Sequence, residues 1–251
     1  MSSSTSTLLI TGCSSGFGLD AARFFLDQGW HVIATMRVPR ADLLPRSERL
    51  RVLPLDVTNA TSIRECVEAA GPIDALVNNA GVGLLAPLEG VTLDQARAIF
   101  DTNTLGTMAM TQAVLPQFRQ RQAGVIVNVT SSVTLKPLPL LSIYTGSKAA
   151  VNAFTESLAL ELAPFGIRAH LVLPGRAPET RFGDNARQSM AGEPHAAYAD
   201  FQARVFAAVR DTHTPVTRAQ DVSEAVWRAV TDPAAPMRLP AGADALALAA
   251  A

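Results

Sequence analysis

Six short runs of apolar, often branched residues recur along the chain, at 7–11, 31–36, 51–55, 75–78, 125–130 and 167–173, and most of the intervals between them are of helix length. A run that is apolar on both alternating faces suits a strand covered on both sides, which is the condition of a parallel sheet. The intervening stretches at 16–28, 60–70, roughly 93–120 and 144–163 read as helices, and strand alternating with helix predicts an open, doubly wound α/β sheet in three layers. At 251 residues, with 48% hydrophobic and 17% charged content, the chain is expected to form a single domain over 1–251.

Local signals support the pattern. Asn59 is placed to cap the helix at 60–70, which Gly71-Pro72 then ends, and Asp221 is expected to open another over 222–230. From 176 to 217 the alternation lapses into prolines, glycines and scattered aromatics, including Tyr198, Phe201 and Phe206 beside His195. That is the composition of a substrate lid over the carboxyl ends of the strands.

A formal charge of -1 gives no basic field for nucleic acid and no polybasic stripe for anionic lipid. Cys13 and Cys66 show no Cys-x-x-Cys spacing, and His31, His170, His195 and His213 show none of metal ligands, so no metal is expected. The first residues carry no charged and apolar leader, and no long apolar run follows. These features predict a cytoplasmic protein with neither nucleic-acid nor membrane partners.

Directly after the first strand comes Thr11-Gly12-Cys13-Ser14-Ser15-Gly16-Phe17-Gly18. Glycines there permit a tight turn and a close backbone approach to a pyrophosphate, at a helix start whose free amides attract anions. Gly12, Ser14, Ser15, Gly16, Phe17 and Gly18 are therefore candidates for dinucleotide binding. In NAD-binding units of this kind an acidic residue about twenty positions on holds the adenosine ribose. Here Ala34-Thr35-Met36-Arg37 offers no carboxylate, and Arg37 suits a 2'-phosphate, so the expected cofactor is NADP(H). Asp56, after the third strand, reads equally as an acceptor for the adenine amino group and as a turn residue ahead of a helix.

Tyr144 and Lys148 lie four positions apart, one turn along a helix face, and Ser131 follows the fifth strand thirteen residues earlier. With these motifs in order, the chain resembles the classical short-chain dehydrogenase/reductase family over essentially its whole length. Thr11, Gly12, Gly16 and Gly18 match its Thr-Gly-x-x-x-Gly-x-Gly loop, Asn78-Asn79-Ala80-Gly81 its Asn-Asn-Ala-Gly, and Pro174-Gly175 its Pro-Gly. The resemblance implies a Rossmann-type fold, catalytic roles for Asn103, Ser131, Tyr144 and Lys148, and cofactor contacts at Asp56, Val57, Asn79, Ala80, Gly81, Tyr144, Lys148, Pro174 and Gly175. It implies too that Lys148 binds the nicotinamide ribose and that Asn103 holds a proton-relaying water. The family's nicotinamide-contacting Thr is displaced by one position, to Thr180.

Hydride reaching a carbonyl carbon places negative charge on oxygen, which Ser131 would stabilise and Tyr144 protonate, with Lys148 and oxidised nicotinamide drawing the phenol pKa down. A small-molecule ketone and its secondary alcohol are the expected substrate pair. Leu84, Leu85, Leu138, Leu140, Leu141, Phe182 and Phe201 favour an apolar one. A cofactor-sensing regulator that has lost turnover, and a lyase or epimerase using the same Tyr and Lys, are alternatives; the intact Ser131, Tyr144 and Lys148 count against the first. The family usually assembles through the helices bearing Asn103 and Tyr144. A homotetramer or homodimer is thus expected, using Met108, Met110, Val114, Leu115, Val151, Phe154 and Leu158, with the tail at 238–251 reaching a neighbour.

Overall fold

The computed structural model describes residues 6–180, 196–209 and 215–250. Its centre is a seven-stranded sheet: β1 (Thr7–Ile10), β2 (His31–Met36), β3 (Leu50–Pro54), β4 (Ala75–Asn78), β5 (Gly124–Val129), β6 (Ile167–Pro174) and β7 (Arg238–Ala241). The spatial order is β3-β2-β1-β4-β5-β6-β7 and every pairing is parallel. The order reverses between β1 and β4, the crevice where open α/β sheets bind ligands.

Eight α-helices are described: α1 (Gly16–Asp27), α2 (Ala60–Ala70), α3 (Leu93–Phe100), α4 (Gly106–Arg121), α5 (Ser142–Leu162), α6 (Ala199–Val209), α7 (Ala219–Thr231) and α8 (Ala243–Ala249). Strand alternation sorts the core into two halves. Leu8, Ile10, Val32, Ala34, Val127 and Val129 meet α1 and α7 on one face. Leu9, Ile33, Leu76 and Ile126 meet α2, α4 and α5 on the other. Covering both faces is what makes the strand runs apolar throughout. Between α1 and α7, Phe24, Phe25, Trp30 and Trp227 form one aromatic cluster with contacting ring centroids 5.2–6.3 Å apart.

The doubly wound three-layer fold is therefore as expected, with four departures. The tail is not a free arm: residues 238–241 form β7 beside β6, and Leu239 is in the core. A four-residue strand containing Pro240 carries little periodic signal, and proline is tolerated because this is an edge strand. The expected helix over 93–120 is interrupted by a π-helical turn at Asp101–Leu105. Asp221 does not open its helix; α7 starts at Ala219, and the Asp221 carboxylate accepts from the Arg218 amide at 2.8 Å. An acid at the third helical position reaching back to the cap explains why it resembled a cap in sequence. Finally, Met110, Val114, Val151 and Leu158, expected at a subunit interface, are buried in this chain's own core, leaving Met108, Leu115 and Phe154 partly exposed.

Asn59 caps α2 as its sequence position indicates, its Oδ1 accepting from Ser62 N at 2.9 Å. Asn59→Ala strands that amide and is expected to cost about 1 kcal/mol. For a chain of this size that lowers Tm by roughly 2–4 °C, which thermal unfolding followed by circular dichroism would register.

Candidate functional site

The site assembles at the carboxyl edge of the sheet from segments that leave β1, β4, β5 and β6. The first is the glycine turn. Thr11 Oγ1 accepts from the amides of Asn79 (3.0 Å) and Ala80 (2.9 Å), while Asn79 Nδ2 donates to the carbonyls of Thr11 (3.0 Å) and Gly12 (3.1 Å). This ties the exits of β1 and β4 so closely that a Cβ on Gly12 would lie 2.8 Å from Ala80 Cα. Gly12 also has φ +75°, where only glycine is unstrained. A Cβ on Gly18 would meet Gly12 O at 2.5 Å and collide with the Asn79 amide. These glycines are thus demanded by packing and leave no side chain over the start of α1.

Ser15, the N-cap of α1, makes no side-chain cap, and the first turn holds no acid. The α1 amides therefore face outward uncompensated, with Ser14 exposed and Ser15, Gly16 and Phe17 half-buried beside them. A helix start of this kind fits the pyrophosphate of a dinucleotide. Thr180 approaches the same turn, its Cβ 3.6 Å from where a Cβ of Gly16 would stand, and its own hydroxyl donates to Ala177 O at 2.9 Å. Cys13, inside the turn, is fully buried, donates to Ile10 O at 3.3 Å, and has its thiol pushed up to about 12 by burial. It is an inert packing residue.

Arg37, exposed just past β2, and Asp56, half-buried past β3, are near enough that the guanidinium helps hold the carboxyl below its usual range. The larger cause is Thr58, whose hydroxyl (2.7 Å) and amide (2.9 Å) both donate to Asp56 Oδ1. The turn role of Asp56 is thus present, with its other oxygen outside that turn. Val57 is buried against Gly106 at the start of α4.

Ser131, Tyr144 and Lys148 come together between β5 and α5, all about 5–6% exposed. Ser131 and Tyr144 share a side-chain hydrogen bond, and Lys148 Nζ donates to Val129 O at 2.9 Å. Asn103 sits in the π-helical turn with its side chain fully engaged: Oδ1 accepts from Val82 N (2.8 Å), and Nδ2 donates to Val82 O (2.9 Å) and Ser147 Oγ (3.1 Å). These bonds tie the π-helical turn to the loop after β4 and to α5. Gly81 lies between, since a Cβ there would be 3.2 Å from Asn103 Oδ1 and 3.3 Å from Lys148 Nζ.

Sequence reading passed over Ser147. Its hydroxyl accepts from Asn103 and donates to Tyr144 O at 2.7 Å, linking two of the four candidate catalytic residues. A serine inside a helix that bonds back to residue i−3 has a visible sequence signal only once a partner for it is known.

Burial raises the Tyr144 phenol, the Ser131 hydrogen bond opposing it, and lowers Lys148 from 10.5 to about 8. For Tyr144 the loss of hydration outweighs the hydrogen bond from Ser131.

Of the apolar residues expected to favour an apolar substrate, Leu84 and Leu140 are buried, Leu85 and Leu141 partly buried, and Leu138 and Phe201 exposed. Phe182, His195 and His213 lie outside the described residues. Leu140 has φ +63°, an unfavourable region for leucine, and its carbonyl accepts from Ala86 N at 2.9 Å, joining the loops after β4 and β5. His170 is structural, its ring between Arg168 and Pro236 O. Among the described residues no cluster could hold a metal, and no helix is long and apolar enough to cross a membrane.

A family model described as short chain dehydrogenase matches residues 6–191. The chain is 39% identical to 3-ketodihydrosphingosine reductase of Bacteroides thetaiotaomicron over 197 residues, 77% of this chain and 71% of that protein. It is 40% identical to retinol dehydrogenase 8 of Bos taurus over 187 residues, 70% of this chain but only 60% of that protein's length. A short chain dehydrogenase from Burkholderia cenocepacia in complex with NADP superimposes with TM-score 0.78 at 26% identity, over 100% of this chain and 93% of that one. A 3-ketoacyl-(acyl-carrier-protein) reductase from Brucella melitensis complexed with NADH does so with TM-score 0.76 at 26% identity, over 94% and 96%.

Lys148 gives the site a measurable signature. Its folded value lies below its unfolded one, so between about pH 8 and 10.5 the unfolded chain holds more protons and the lysine's burden on stability fades as pH rises. Lys148→Met has no such burden. The Tm of the variant relative to the parent is expected to be highest near pH 7 and to fall steadily toward pH 10; a difference that stays flat would contradict a lysine buried as a cation.

Proposed function

Because the chain belongs to the short-chain dehydrogenase family, we propose that it is an NADP(H)-dependent oxidoreductase acting on a ketone and its secondary alcohol. The observation that carries this reading is the convergence of Ser131, Tyr144 and Lys148 beside a glycine turn that leaves the α1 amides open. Bound there, a nicotinamide dinucleotide supplies or takes up the hydride.

Around that hydride the chain moves one proton. In the reducing direction Tyr144 Oη gives its proton to the carbonyl oxygen as the C=O π bond opens, and Ser131 Oγ donates a hydrogen bond to the same oxygen. Burial raises the phenol, so the charge of Lys148 and of the bound oxidised nicotinamide must offset it for the proton to leave. Once the proton has left, the ammonium of Lys148 and the Ser131 hydroxyl hold the phenolate. In this reading Lys148, which donates to Val129 O and lies near Gly81, also binds the nicotinamide ribose. Ser147 and Asn103 keep the two helices in register.

Arg37 and the missing carboxylate after β2 favour NADP(H), one charge-assisted contact amounting to about 1.5–3 kcal/mol. One of the similar structures holds NADP and another NADH, so this preference rests on Arg37 itself. An apolar substrate is supported by Leu84, Leu140 and Leu141, and by relatives named for retinol and 3-ketodihydrosphingosine. Residues 176–217 form the lid in this reading; Tyr198 Oη, donating to Glu89 Oε1 at 3.2 Å, joins one part of it to the loop after β4. A homo-oligomer built through α4 and α5 is in keeping with Leu105 and Leu160, 55% and 79% exposed.

Optical assay of NADPH oxidation with a panel of apolar ketones tests the reading. Tyr144→Phe is expected to bind NADPH nearly as the parent does while turnover falls by a factor of roughly 100 to 10,000; retained turnover would mean that another group carries the proton. Arg37→Asp is expected to raise the KM for NADPH far more than that for NADH, and an unchanged ratio would remove Arg37 from the 2'-phosphate.

A further inference from the structure

A hydrogen-bonded cluster outside the catalytic residues joins the end of β6 to the start of α8. Asp244 Oδ2 accepts from Arg176 N at 2.6 Å, and Asp244 Oδ1 lies 2.7 Å from Thr217 Oγ1. Thr217 Oγ1 in turn accepts from Gly175 N at 2.9 Å and lies 2.8 Å from Ala241 O, while Thr217 N donates to Arg176 O at 2.8 Å. The single hydroxyl proton goes to one acceptor at a time, and the carboxylate is the stronger. Thr217 is buried and Asp244 half-buried.

The packing is closed to any side chain. A Cβ on Gly175 would overlap both Asp244 oxygens, and one on Gly242, at φ +97°, would overlap the Thr217 hydroxyl. Glycine at two facing positions lets a carboxylate and a hydroxyl reach the backbone of the opposite strand end. The peptide so held, Gly175–Arg176, lies four residues before Thr180, which stands against Gly16 of the glycine turn.

We propose that Asp244 and Thr217 are positioning residues that fix the path from Gly175 to Thr180 and thereby set the affinity for the dinucleotide. This rests on the reading that a nicotinamide dinucleotide binds at the glycine turn. Neither side chain touches the reacting atoms. Their loss lowers the fraction of molecules with Thr180 in place, so affinity falls while the bound complex turns over as before; a fall in that fraction to about a tenth raises the dissociation constant about tenfold.

Asp244→Ala removes both acceptor oxygens. The expected result is a roughly tenfold rise in NADPH dissociation constant and KM, with kcat within about twofold, and faster hydrogen exchange at the Arg176 amide with β5 unchanged. Asp244→Asn restores near-parental affinity, since Asn Oδ1 still accepts from Arg176 N while its amide donates to Thr217 Oγ1 and the hydroxyl turns to Ala241 O. Should Asp244→Ala not fold, Thr217→Val and Thr217→Ser put the same question: the valine variant loses affinity and protection at Gly175 N, and the serine variant keeps both. NADPH affinity unchanged in Asp244→Ala, or in Thr217→Val, overturns the proposal, as does a lowered Tm with no change in KM, the mark of a purely structural tie. A parent protein that binds neither NADPH nor NADH would instead overturn the functional reading on which the proposal rests.

Discussion

The hydroxyl of Thr11 is the point on which the site depends. By accepting two consecutive amides from the start of the loop after β4, it joins the exits of β1 and β4 at the place where strand order reverses. Everything that must be close there follows from that approach: Gly12 has no room for a side chain against Ala80, and Gly18 none against Gly12 O. The open start of α1 is the geometric remainder. A helix start whose first turn holds no acid is left open by bringing two strand ends into contact.

The opposite half of the site is governed by burial. Asn78, Asn128, Thr111 and Thr155 are joined between β4, β5, α4 and α5 by bonds of 2.8–3.1 Å, a polar seam inside an apolar layer in which Asn78 Oδ1 alone is left without a partner. A network of that kind fixes register, because displacing any member strands its partners. Set into this frame, Lys148 is kept as a buried amine held by a single carbonyl, and Leu140 is held at positive φ just before α5. Both are local disadvantages of the sort that collects at functional sites and is sustained by the surrounding core.

Legibility in sequence followed the physical range of each interaction. The six principal strands and the helices at α1, α2 and α5 were readable because their signals are local and periodic, and the glycine turn because its constraint is steric and confined to a few residues. Tyr144 and Lys148 could be placed on one helix face by spacing, but their closeness to Ser131 is a property of sheet order. β7 escaped because four residues with a proline have no period, and the break between α3 and α4 because a π-turn is imposed by Asn103 reaching Val82. Met110, Val114, Val151 and Leu158 looked surplus to one sheet face, yet Met110, Val114 and Leu158 pack in the core layer with Leu76 of β4 and Ile126 of β5, and Val151 is buried as well. Asp244 and Ser147 were silent for a common reason: each acts on backbone groups that only the folded chain brings near.

The aromatic cluster over α1 and α7 has a spectroscopic consequence. Trp30 and Trp227 are the chain's two tryptophans, and their ring centroids stand 6.0 Å apart, each also against Phe25. The protein's tryptophan emission therefore arises from one close, half-buried pair packed against the core where α1 meets α7. Because the pair spans the contact of α1 with α7, a change in that emission in the absence of an absorbing ligand reads how the helix that begins at the glycine turn seats on its neighbour.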